Sequence, residues 1–128
     1  MRRTSCVLIA FIFLEMGCGS SEPPIAGGKT SEHWIEELQN EKVAVRIEAV
    51  KKLGNIGSKD PDALPAVFEA LLDKAPAVRK EAIYAVVRNR SASREALPLL
   101  EEMKDADRDA KIRKIADEAY RNLTDSQY

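Results

Sequence analysis

At 128 residues the chain is long enough for one domain, and its 20 basic and 21 acidic residues leave a net charge of −1, with no global field to draw in nucleic acid. One His, and two Cys that both lie in the first 18 residues, exclude most His/Cys metal sites and any disulfide framework in the body. Aromatics at 5% and sparse turn residues exclude an all-β sandwich, while 45% apolar residues suffice for a packed core.

The chain opens with Arg2 and Arg3, an unbroken apolar run from Cys6 to Leu14, and then Glu15-Met16-Gly17-Cys18-Gly19. A positive start, a short apolar stretch and small residues form the pattern of a secretory signal. The nine-residue run rises about 14 Å as a helix, roughly half the hydrocarbon thickness, so it is too short to span. Gly17-Cys18-Gly19-Ser20-Ser21 resembles a bacterial lipoprotein cleavage site, although Glu15 stands where that family has Leu. The resemblance implies a signal peptide over 1–17 and a lipid on Cys18. Cys6 would leave with the signal, so lipidation would account for the remaining thiol. A plain secretory signal, or an uncleaved short anchor with Cys18 incidental, fits the same residues.

Residues 18–30 read as the lipidated Cys followed by a flexible linker rich in Gly, Ser and Pro, with a stiff Pro23-Pro24 step. The plainer reading is a disordered arm with no role.

The body repeats. Val45-Arg46, Val78-Arg79 and Ile112-Arg113 recur at spacings of 33 and 34. Ala49, Ala82 and Ala116 follow three residues after each Arg. Leu53, Val86 and Tyr120 follow after seven, and Asn40, Asp73 and Asp107 precede by six. Ala63-Leu64-Pro65 returns as Ala96-Leu97-Pro98. Such a period marks a repeat architecture.

Each unit reads as two helices, over 31–39 and 43–54, 61–73 and 76–89, and 93–104 and 108–122. Asp60 is expected to cap the third helix with Pro61 at its first position, and Ser93 to cap the fifth. Pro65 and Pro98 then fall inside helices and should bend them. Gly54 and Gly57 should stop one helix, and Asn89 another. Val45, Ala49, Val50, Leu53 and Ile56 share a face, as do Val78, Ala82, Ile83 and Val86 one unit later. No pair can bury such a stripe alone, so the pairs must stack.

The pattern Asp-x-x-x-x-Val-Arg-x-x-Ala, with Asp73 through Ala82 as its best copy, resembles HEAT repeats, in particular the short bacterial type also found in phycobilin lyases. Asn40 to Gly57 is a second copy and Asp107 to Leu123 a degenerate third, and Ser31 to Leu38 resembles the first helix of such arrays. The resemblance covers 31–123. It implies an all-α, right-handed solenoid of three helix pairs (about 31–57, 60–90 and 93–123), with a tail at 124–128. The first helices would face outward and the second line an inner surface. It also implies a structural ladder of Arg46, Asp73, Arg79, Asp107 and Arg113 between neighbouring units, with a weaker first rung because Asn40 lacks the charge. Asp117 stands where Val50 and Ile83 stand, so the stack should end there with a polar cap.

Little here could carry chemistry. His33 has no second His, no glycine-rich phosphate loop is present, and the adjacent pairs Glu36-Glu37 and Glu101-Glu102 point apart on a helix. The chain is therefore expected to be no enzyme, with no cofactor, no metal and no nucleic acid. Glu48, Glu81 and Glu118 interrupt the basic row that nucleic acid would need. Lys51, Lys80, Tyr84, Arg88, Lys114 and Arg121 fall off the apolar stripes and are the candidate inner face for a protein partner. The expected function is a non-catalytic interaction or scaffold module, exported and lipid-anchored at a bacterial cell envelope. The alternatives are a lyase-like accessory protein holding a bilin or other small ligand, and a purely structural envelope spacer.

Overall fold

The structure, a computed structural model, describes residues 25–125. The signal segment, Cys18, the first part of the linker and residues 126–128 lie outside the described residues. The described chain starts as a hairpin, with β1 (Ile25–Ala26) antiparallel to β2 (Lys29–Thr30) and Ile25 opposite Thr30. Gly27 and Gly28 both hold positive φ, the geometry of a tight two-residue hairpin turn. Residues 25–30 are therefore not slack linker. Composition suggested flexibility, but the two glycines make the turn, and the Trp34 indole N–H donates to the Ala26 carbonyl at 2.9 Å. Lys29 and Lys52 approach the Trp34 ring from the hairpin and from the second helix.

Six α-helices follow among the described residues: α1 (Ser31–Glu37), α2 (Val43–Ile56), α3 (Ala63–Ala70), α4 (Pro76–Arg88), α5 (Leu97–Ala106) and α6 (Ala110–Asp125). They are the expected helix pairs α1/α2, α3/α4 and α5/α6, with three local differences. Asp60 does not cap α3, which starts at Ala63; its Oδ1 instead accepts the Asp62 N–H in a turn, and its Oδ2 accepts the Ser31 hydroxyl. A 3-10 segment (Arg90–Ala96) occupies the span where α5 was expected to begin, so that helix starts at Leu97 with Ala96 at its N-cap position rather than after Ser93. Pro65 is the third residue of α3 and Pro98 the second of α5. In a first turn the amide has no intrahelical acceptor, so the prolines break no helical bond and give no reason for a bend.

The helices stack as an α-solenoid. Packing joins α1 to α2, α3 to α4 and α5 to α6 within pairs, and α2 to α4 and α4 to α6 between them. Ala49, Val50 and Leu53 on α2, Val78, Ala82, Ile83 and Val86 on α4, and Ala116 on α6 are all fully buried. Each large side chain so buried contributes about 1.5–3 kcal/mol. Gly57 ends α2 with φ +56°, as expected. Gly54 does not stop it. Gly54 lies inside α2, and a Cβ there would come within 2.8 Å of the Ala85 Cβ, so the glycine is what lets α2 and α4 approach. Asn89 ends α4, as expected.

Candidate functional site

Two Arg–Asp rungs fix how one pair sits on the next. Arg46 donates from Nε and Nη2 to Asp73, at 2.8 and 3.1 Å, and from Nη1 to the carbonyls of Asn40 and Glu41. Arg79 repeats this one unit later, with Asp107 at 2.8 Å for both contacts and the carbonyls of Asp73 and Lys74 behind it. The guanidinium groups are buried, yet every lobe is hydrogen-bonded, which is what a buried charge requires. Burial works to raise the Asp107 carboxyl. The hydrogen bond from Arg79, the Asp109 N–H and the charges of Arg79 and Arg108 outweigh it, and hold the group below the usual carboxylate range.

The ladder runs forward, from the Arg of one unit to the Asp of the next. The expectation of a weak first rung at Asn40 is therefore corrected. The Asn40 side chain accepts no Arg side chain among the described residues. Its Oδ1 accepts the Lys42 N–H, and its backbone carbonyl supports Arg46. The incomplete rung is at the other end. Arg113 donates to the Asp107 carbonyl at 2.6 Å and makes no ion pair among the described residues.

The candidate inner face lies on α2, α4 and α6. Lys51, Lys80, Tyr84, Arg88 and Lys114 are exposed there, Tyr84 at 44%. The repeat spacing aligns Lys80 with Lys114, Lys51 with Tyr84 and Glu118, and Asn55 with Arg88 and Asn122. Arg121 aligns instead with Val87 and Gly54. It lies off these rows and is paired with Asp117 at 2.8 Å, so it leaves the set. Arg88 is partly engaged by Glu81 at 3.5 Å. Asp117 has a side chain 36% exposed where Val50 and Ile83 are fully buried, which places a polar cap at this end of the stack.

Whole-chain neutrality hides a separation of charge. α1, α3 and α5 carry Glu32, Glu36, Glu37, Glu69, Glu101, Glu102 and Asp105 against one cation, Lys104. α2, α4 and α6 carry ten Lys and Arg against five Asp and Glu, and with Arg46 and Arg79 buried in the ladder the remaining balance is eight to five. The sequence shows this only once helices are assigned to layers. Sequence reasoning also missed Leu72, which is 67% exposed in the turn after α3 beside a shallow groove with Leu99, Met103 and Arg108. Its spacing from the buried Leu71 gives no sign of exposure.

His33 Nε2 lies 2.9 Å from Lys29 Nζ and 4.0 Å from Glu37, on the surface at the N-terminal end. No group of three or more His, Cys, Asp or Glu among the described residues could hold a metal ion. No described helix is long and apolar enough to cross a membrane.

The family model for HEAT repeats matches residues 31–121. No curated protein matches the chain, and no solved structure does.

Proposed function

The chain belongs to the HEAT-repeat family, and from that premise we propose that it is a non-catalytic interaction module, exported, anchored through a lipid on Cys18 at a bacterial cell envelope, and presenting the exposed side of α2, α4 and α6 to an acidic protein partner. HEAT repeats are generally interaction or scaffold modules and typically non-catalytic. The observation that carries the reading is the division of charge between the two layers of helices. A basic surface with Tyr84 at its middle steers an acidic partner and gives it one aromatic anchor. The rigid stack holds these side chains in place before binding, which limits the entropy lost on association.

Lys51→Glu, Lys80→Glu and Lys114→Glu together test the surface. All three side chains are exposed, so thermal unfolding should stay within a few degrees of the native chain. Recovery of co-purifying protein from membranes should fall at least tenfold, and more steeply at low salt. Unchanged recovery would remove this face from the account. Cys18→Ala tests the anchor separately: the variant should move from the membrane fraction to the soluble fraction.

A further inference from the structure

The third rung leaves a site that the inner-face reading does not use. In two units the guanidinium is held the same way. One lobe sits on backbone carbonyls of its own helix-pair turn, and the Nε/Nη2 edge takes an aspartate carboxylate from the next pair. Arg113 has the first half of this arrangement, with Nη1 on the Asp107 carbonyl at 2.6 Å. Asp109 and Asp117 lie one turn away on either side, and neither forms an ion pair with it. Arg113 is only half-buried, at the end of the stack.

We propose that Arg113 is an open carboxylate socket whose occupant is an aspartate in the helix-pair turn of a partner protein. The molecule itself defines the ligand chemistry, because the same socket is filled twice. Both resident aspartates stand in the same local turn: Asp73 Oδ1 also accepts the Ala75 N–H, and Asp107 Oδ1 the Asp109 N–H. That turn fixes the carboxylate before the Arg arrives. A bidentate Arg–carboxylate pair then gives direction as well as attraction. A second copy of this chain is a poor occupant. At the matching position its first unit offers Asn40, which has the turn without the charge; Asp73 and Asp107 are held by Arg46 and Arg79, and Asp109, which makes the same turn, is engaged at the start of α6 by the N–H groups of Lys111 and Ile112. The surrounding end face is polar, with Asp117 paired to Arg121 and Lys104 over the Tyr120 ring, so the contact is reversible rather than a continuation of the core.

The probe is the acetylated, amidated peptide Leu-Leu-Asp-Lys-Ala-Pro, which copies Leu71–Pro76, together with its Asp→Asn twin. The readout is the nitrogen-15 spectrum of the arginine Nε–H groups in the intact protein. The Arg113 resonance should move saturably with the Asp peptide and at least tenfold more weakly with the Asn peptide. The resonances of Arg46 and Arg79, already filled, should stay put. Arg113→Lys, checked for unchanged helicity by circular dichroism, should lose the binding because the fork is gone. An unmoved Arg113 resonance, an equal response to both peptides, or an equal response of the exposed Arg94 and Arg108 would overturn the proposal.

Discussion

Asn89 Nδ2 donates to the carbonyl oxygen of Gly54, 35 residues earlier, at 2.9 Å. The same amide donates to the Ala85 carbonyl at 2.8 Å. One side chain thus closes the end of α4 and satisfies a carbonyl in the last turn of α2, where intrahelical donors run out. Gly57 makes room for it, since a Cβ there would overlap Asn89 Oδ1. The seam between the first two units is therefore set by two glycines on one side and by Ala85 and Asn89 on the other.

Gly54→Ala tests that seam. Helix propensity alone favours the change by about 1 kcal/mol. The new methyl would sit 2.8 Å from the Ala85 Cβ, and overpacking of that kind costs about 1–3 kcal/mol. Net destabilisation is expected by urea titration. Adding Ala85→Gly should recover part of it, a coupling that a double-mutant cycle reads directly.

The rungs should differ sharply in worth. Arg79→Ala strands Asp107, whose side chain is 6% exposed, and should cost about 3–5 kcal/mol. Arg113→Ala removes no ion pair and should cost about 1 kcal/mol or less. Equal losses in denaturant would mean that the carboxylates contribute little.

Acid should act through Asp107. Its carboxyl is lowered in the folded state, so the folded state binds fewer protons than the unfolded one as pH falls. The stabilisation is present above the unfolded carboxylate value of about 3.9 and is lost as pH drops through the folded value. Asp107→Asn should be less stable at pH 6, and it should lose less than the native chain between pH 6 and pH 3. A native chain with the same acid sensitivity as the variant would contradict the assignment.

The hairpin depends on Trp34. Trp34→Phe keeps an aromatic ring but loses the indole donor to Ala26. A hydrogen bond nets about 1 kcal/mol, so the hairpin amides should exchange about fivefold faster, with those of α4 unchanged. Hydrogen exchange by NMR separates the two.

The helical layout was legible because a period of 33 or 34 residues repeats both the apolar stripe and the Arg. The rung partners followed from family resemblance, but the direction of the ladder did not. Asn40 reads as a missing charge until Arg46 is seen to reach 27 residues forward. Gly54 carries the same letter as Gly57, and only the approach of Ala85 separates spacer from stop. Gly27-Gly28 resembles linker until Trp34 pins the strand beside it. These are tertiary choices, made by contacts that composition and period do not encode.

The central claim is that α4 lies between α2 and α6 in one continuous stack. A nuclear Overhauser spectrum that resolves the Ala85 methyl tests it most directly. The account requires a strong cross-peak from that methyl to the Gly54 α-protons, in a chain whose α4 side chains also show contacts to α6. An Ala85 methyl with no Gly54 cross-peak, in a folded helical chain, would contradict it.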